Sequence, residues 1–203
     1  MRIDRTLMAI ATVTLAGMPF AVLHAQTNIN MPLNGPAVPG LCLLSREAIF
    51  AHAKVGIAAS ARLKQLAEQA QGEIDAERKP IDADVQAYRA QAASLSADQR
   101  QTREQALAQR MQQVQADQAL RAKELEATRA KAMDQIAQDA QPVIVSAYNS
   151  KSCGMLLDRS VVLGGNMAND LTAAVVQGLD AKVTTISFNL ETLPASSAPS
   201  TTP

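Results

Sequence analysis

Between Arg46 and Asn149 the chain is dominated by Ala, Gln, Glu, Lys and Arg, with a single interruption rich in Ser. These are strong or well-tolerated helix formers, so half of the sequence is committed to two long helices before any other feature is weighed. In the first, from Arg46 to about Ala93, the apolar positions Leu63, Leu66, Ala70, Ile74, Ile81, Val85, Tyr88 and Ala92 recur in steps of three, four or seven. That spacing puts them on one narrow stripe, wide enough for one partner helix. Asp75 and Lys79 stand four apart with the acid first, an orientation that supports an exposed helix. Pro80 lies inside the pattern and reads either as a hinge or as a tolerated kink on a solvated helix.

The interruption, Ser94 to Gln99, carries cap chemistry. Ser96 with Gln99 three residues later fits a capping box, and Asp98 would meet the positive end of a helix dipole. A second helix from about Ala97 to Asn149 follows, with Leu107, Met111, Val114, Leu125, Thr128, Ala132 and Ile136 on its stripe and Asp117 placed to pair with Arg121. Pro142, near its end, either kinks it or opens a last short piece. A short connection leaves an antiparallel hairpin as the way to bury both stripes. Arms of some 45 to 50 residues reach on the order of 70 Å, longer than a compact domain of this size is wide, so they must project.

The flanks are different in kind. Arg2 and Arg5 precede an apolar run from Leu7 to Val22, and Ala25 offers a small residue at a cleavage point, so residues 1–25 read as a removed export signal. Pro and Gly crowd residues 26–39, a linker or arm. Leu41 to Leu44 is a short buried-strand pattern, and Ser45 is a good helix N-cap. After the hairpin, Met155 to Asp158 and Val161 to Leu163 are two further strand-like runs, followed by a turn at Gly164-Gly165-Asn166. Asn169 can cap a helix running from Asp170 to about Gln177 and ending at Gly178. Ile186, Phe188 and Leu190 then alternate with Ser187 and Asn189, as in a half-buried strand, and residues 194–203 read as a disordered tail. The fold class is therefore α+β: a small β-rich body, residues 40–52 and 143–193, with a long projecting helical hairpin, residues 53–142. A body of about sixty residues is small for a core of its own, which favours self-association through open sheet edges.

Export permits a disulfide between Cys42 and Cys153, closing a loop of about 110 residues; the alternative is two buried thiols acting as small hydrophobes. The chemical inventory excludes most enzymes. After removal of the signal His52 is the one imidazole left, and it reads as structural. There is no metal-ligating, nucleophile-elbow or phosphate-loop motif, so neither catalytic residues nor a metal or cofactor site is expected. Nineteen Lys and Arg balance nineteen Asp and Glu, and aromatics are 2% of the chain, which argues against a nucleic-acid partner. Arg89, Arg100, Arg103 and Arg110 outnumber acids near the tip, where they either decorate a solvated helix or meet anionic lipid or the acids of a bound chain.

The order of elements, with Gly154-Met155-Leu156-Leu157-Asp158-Arg159, Asn169-Asp170-Leu171-Thr172 and Val175 to Leu179, resembles the Skp (OmpH-like) periplasmic chaperones over about residues 40 to 180. Asp158 and Asp170-Leu171-Thr172 hold the positions that bracket the return to the body in that family. The resemblance implies a homotrimer with a β-rich body and three helical tentacles around a cavity, holding unfolded outer-membrane β-barrel chains in the periplasm without ATP. The arms here are neutral, fourteen bases against fourteen acids over residues 46–149, so at most weak peripheral contact with membrane or lipopolysaccharide is expected. The Cys pair and the extension after Leu179 have no family role. Client contact is expected on inward-facing Leu63, Leu66, Ile74, Ile81, Val85, Leu107, Met111, Val114 and Leu125, each of which also has the simpler reading of gluing its own hairpin. The rival class is an exported coiled-coil adaptor or spacer that docks on one folded partner.

Overall fold

A computed structural model describes residues 31–33 and 35–194. The expected signal, the first part of the linker and all of the expected tail except Pro194 lie outside the described residues. Four helices and four short strands follow in chain order: β1 (Met31–Pro32), β2 (Leu41–Leu44), α1 (Arg46–His52), α2 (Lys54–Gln91), α3 (Ala97–Ser150), β3 (Met155–Asp158), β4 (Gly164–Gly165) and α4 (Thr172–Asp180).

The hairpin forms as its residue types dictate. Ser96 Oγ accepts from Gln99 N while Gln99 Oε1 accepts from Ser96 N, the complete capping box, and α3 then runs unbroken for 54 residues. That is about 80 Å at 1.5 Å per residue. Pro80 and Pro142 both sit inside continuous helix. The helices run antiparallel, joined through a single 3-10 turn, Ala92–Ser94. Cross-helix pairs step from root to tip, Glu73 with Arg121, Asp84 with Arg110, and Tyr88 with Glu104.

Where one helix from Arg46 is expected, the chain makes two. Ala53 takes an extended conformation, φ −69° and ψ 142°, and separates α1 from α2. The orphan N–H at the start of α2 finds an acceptor from far along the chain: Lys54 N donates to Asp180 Oδ1 at 2.7 Å. Gly56 makes the joint possible, because a Cβ there would lie 2.0 Å from the Phe50 carbonyl oxygen.

The body holds less strand than the β-branched runs suggest. β2 pairs in parallel with β3, Leu41 opposite Met155 through Leu44 opposite Asp158, and β1 pairs with β4 over two residues. The run Val161 to Leu163 is not a strand. Asp158 accepts from Ser160 N and initiates a 3-10 turn, Arg159–Val161, which diverts the chain away from the sheet. Residues 186–190 are half-buried in alternation yet form no ladder. The last helix starts at Thr172, where Thr172 N donates to Asp170 Oδ1, and it continues past Gly178. Gly178 is a contact point, not a terminator: a Cβ on it would come within 2.6 Å of Val143 Cγ1.

One root core ties these pieces together. Ile49, Val55 and Ala59 meet Ile136, Ala140 and Val143 of α3, and Leu171 at the cap of α4 closes the group with Val175 and Leu179 within it. Burying each Val, Leu or Ile of this group contributes about 1.5 to 3 kcal/mol. Cys42 belongs to this core and is joined to Cys153 by a disulfide with Cα atoms 5.8 Å apart and a sequence separation of 111.

Candidate functional site: the hairpin and its two faces

The hairpin starts from a riveted root. Leu43 N donates to Asn169 O and Leu43 O accepts from Leu171 N, so β2 is flanked by β3 on one edge and by residues 169–171 on the other. Asp158 accepts from Arg46 Nε at 2.9 Å, and Asp170 pairs with Arg159 at 2.8 Å while capping α4. Ser160 N–H, then its hydroxyl, then Arg46 hold the Asp158 carboxyl below the usual carboxylate range. Asn169, expected as a helix cap, instead donates to Val38 O and Leu41 O and holds down the incoming arm.

Beyond the root the arm packs on itself. Ile74, Ile81 and Val114 are buried between α2 and α3, with Val85, Leu107 and Met111 partly buried around them. Small residues fill the seam nearer the root, where Ala70, Thr128 and Ala132 are buried. Tyr88 donates its hydroxyl to Glu104, and that bond raises the phenol above its ordinary pKa. The expected Asp117–Arg121 pair is not the one formed. Arg121 reaches across to Glu73 at 3.0 Å and along α3 to Glu124 at 2.7 Å, while Asp117 accepts from Gln113. The Glu124 bond is the first cause of a raised Arg121 pKa. Three tip arginines also have partners within the hairpin: Arg100 donates to Ala92 O and Leu95 O, Arg103 to Gln91, and Arg110 to Asp84.

The nine residues expected to face a client separate into three groups. Leu66, Ile74, Ile81 and Val114 lie in the seam at 3% to 6% exposure, and Val85, Leu107 and Met111 at its margin. Leu63 and Leu125 are half-buried and come together with Ala67 and Arg129 in a shallow open groove on one face of the hairpin. Toward the root it meets a cleft lined by Phe50, Met133, Arg46 and Asp158; Ser60 and Arg129 border both.

The opposite face is covered by the extension after α4. Arg62 Nε donates to Phe188 O, and Arg62 Nη2 to Asn189 Oδ1, both at 3.3 Å. Thr128 Oγ1 accepts from Glu191 N at 2.8 Å, Glu124 Oε1 accepts from Leu193 N at 3.1 Å, and Lys131 pairs with Glu191 at 2.8 Å. Arg62, Glu124, Thr128 and Lys131 were not singled out by sequence reasoning for this role. Glu124 reads as one more solvated acid, yet only 2% of its side chain is exposed. The alternation from Ile186 to Leu190 was the available signal.

A family model for "Outer membrane protein (OmpH-like)" matches residues 41–179, from β2 to the last turn of α4. The chain belongs to the OmpH-like family. A solved structure from Caulobacter crescentus CB15, named as a candidate OmpH-like outer membrane chaperone, is similar at 35% identity and TM-score 0.70, covering 78% of this chain and 94% of that one. No curated protein matches the sequence. The OmpH-like match ends where the covering extension begins. Among the described residues, no group of three or more His, Cys, Asp or Glu could hold a metal, and no helix is long and apolar enough to cross a membrane.

Proposed function

We propose that this OmpH-like chain is an ATP-independent holdase of the periplasm, exported by a signal over residues 1–25 that is then cleaved, and that it keeps unfolded outer-membrane β-barrel chains from aggregating. The observation that carries the reading is an arm whose outer part is held by a seam of three buried and three half-buried apolar side chains. So thin a seam supports many weak, adjustable contacts and no rigid pocket. A client gripped this way stays soluble because its exposed strands meet no other copies, and it leaves when its own folding is more favourable. The OmpH-like relative, described as a candidate outer membrane chaperone, supports the same reading.

Leu63 and Leu125, on the open groove, are the first points of contact. Val85, Leu107 and Met111 follow at the seam margin, and Leu66, Ile74, Ile81 and Val114 become available only as the helices part. Trimeric assembly through the body is part of the proposal. It is supported by exposed apolar residues concentrated there: Met155 on β3, Val161 and Leu163 before β4, and Leu33 just beyond the strand that pairs with β4. Monomers seldom leave so much apolar surface in one neighbourhood.

The test is dilution of a urea-unfolded porin into buffer with and without the purified mature protein, without nucleotide, read by light scattering and by mass in solution. Suppressed scattering and a trimer plus one client are expected. L63Q with L125Q should weaken suppression several-fold while helical circular dichroism is unchanged. A lone monomer that leaves scattering unaltered overturns the reading, and selective binding of one folded partner would point to an adaptor instead.

A further inference from the structure

The extension after α4 shows how this hairpin binds an extended chain. Ile186, Phe188 and Leu190 are half-buried while Ser187 and Asn189 are exposed, and Ile186 and Phe188 pack against the root core. The helices hold its backbone at spaced points: the Phe188 carbonyl by Arg62, the Glu191 amide by Thr128 and the Leu193 amide by Glu124. A surface that grips main-chain groups and half-buries every second side chain selects for extended, alternating sequences more than for particular residues. Alternation with period two is also the pattern of each strand of a membrane β-barrel.

We infer that residues 183–193 are a surrogate client strand held in cis, and that the face formed by Arg62, Glu124, Thr128 and Ala132 is a second client-binding face. This rests on the holdase reading above. Thr128 and Glu124 are nearly fully buried with the strap in place, 1% exposed each, so its departure trades two amide donors for water at these acceptors. Another extended backbone supplies the same donors, which makes the exchange close to balanced and independent of nucleotide. A tethered segment acts at an effective concentration on the order of millimolar, so a single short segment competes poorly and a long unfolded client, offering many segments, competes well.

The test uses the full mature chain and a fluorescein-labelled peptide copying residues 183–193. The double variant I186S/F188S, in which the strap is weakened, should bind the peptide at least about tenfold more tightly than the wild type, because the internal competitor is lost. Equal or weaker binding by a variant with unchanged helical circular dichroism overturns the inference. Hydrogen exchange on the wild type decides if the variant does not fold: with saturating unfolded porin, the Glu191 and Leu193 amides should lose protection while α2 and α3 keep theirs. If porin binds and those amides stay protected, the strap inference alone fails. If neither porin nor peptide binds any form, the holdase reading fails and takes this inference with it.

Discussion

Asp158 accepts three hydrogen bonds at the root, from the Ser160 N–H at 2.9 Å, the Ser160 hydroxyl at 2.8 Å and Arg46 Nε at 2.9 Å. All three favour the carboxylate, so the folded protein binds this proton less readily than the unfolded chain does. The stability from this residue is therefore fully present above the ordinary Asp pKa of about 4 and is lost as pH falls through the lower folded value. Asp158→Asn should flatten the acid side of a Tm-against-pH profile below about pH 4, relative to the wild type. An acid limb of unchanged slope would show that other carboxylates govern it. The residue was legible in sequence as a family position, but its partners were not, because Arg46 lies 112 residues away and Ser160 only acquires meaning once the chain turns at Arg159.

Among elements, the joint between α1 and α2 is the most tightly specified. Gly56 faces the Phe50 carbonyl so closely that any side chain must displace backbone, not a pliable side chain. Gly56→Ala should cost about 1 to 3 kcal/mol, read as a lowered urea midpoint, even though Ala is the better helix former. A stabilised variant would mean that the joint straightens at no cost. The long helices themselves, their capping box and the short tip connection were legible because their determinants lie within a few residues of one another. The break at Ala53 was not, since it depends on Asp180 reaching the first N–H of α2 from the end of α4. The expected third and fourth strands failed for the same reason. Apolar alternation encodes a half-buried extended segment, but what satisfies its backbone is a tertiary matter, and here Arg62, Thr128 and Glu124 do so in place of a neighbouring strand.

For the whole molecule, the root is where every remote part of the chain is joined. Parallel β2 and β3 close the helical excursion, the bond between Cys42 and Cys153 staples it across a separation of 111 residues, and α4 packs across α3 beside them. In the loop-entropy account that bond contributes about 4 to 5 kcal/mol, mostly by restricting the unfolded chain. C42S/C153S, or mild reduction, should lower stability by an amount of this order while the native circular dichroism is retained below the transition. A shift under about 1 kcal/mol would show that the packed root alone holds the excursion closed. The candidate client surface was legible in outline from the stripe, which marks Leu63 and Leu125 together with the seam. Which of those residues stay accessible depends on how deeply two Ala-rich helices interlock, a quantity that no single helix pattern contains.

The covalent link at the base also decides what happens when the exposed far end is damaged. A protease that cuts the turn between the rods produces two polypeptides on paper but releases neither, since both remain stapled below and interlocked along their length. The nicked arm would stay together as one folded piece.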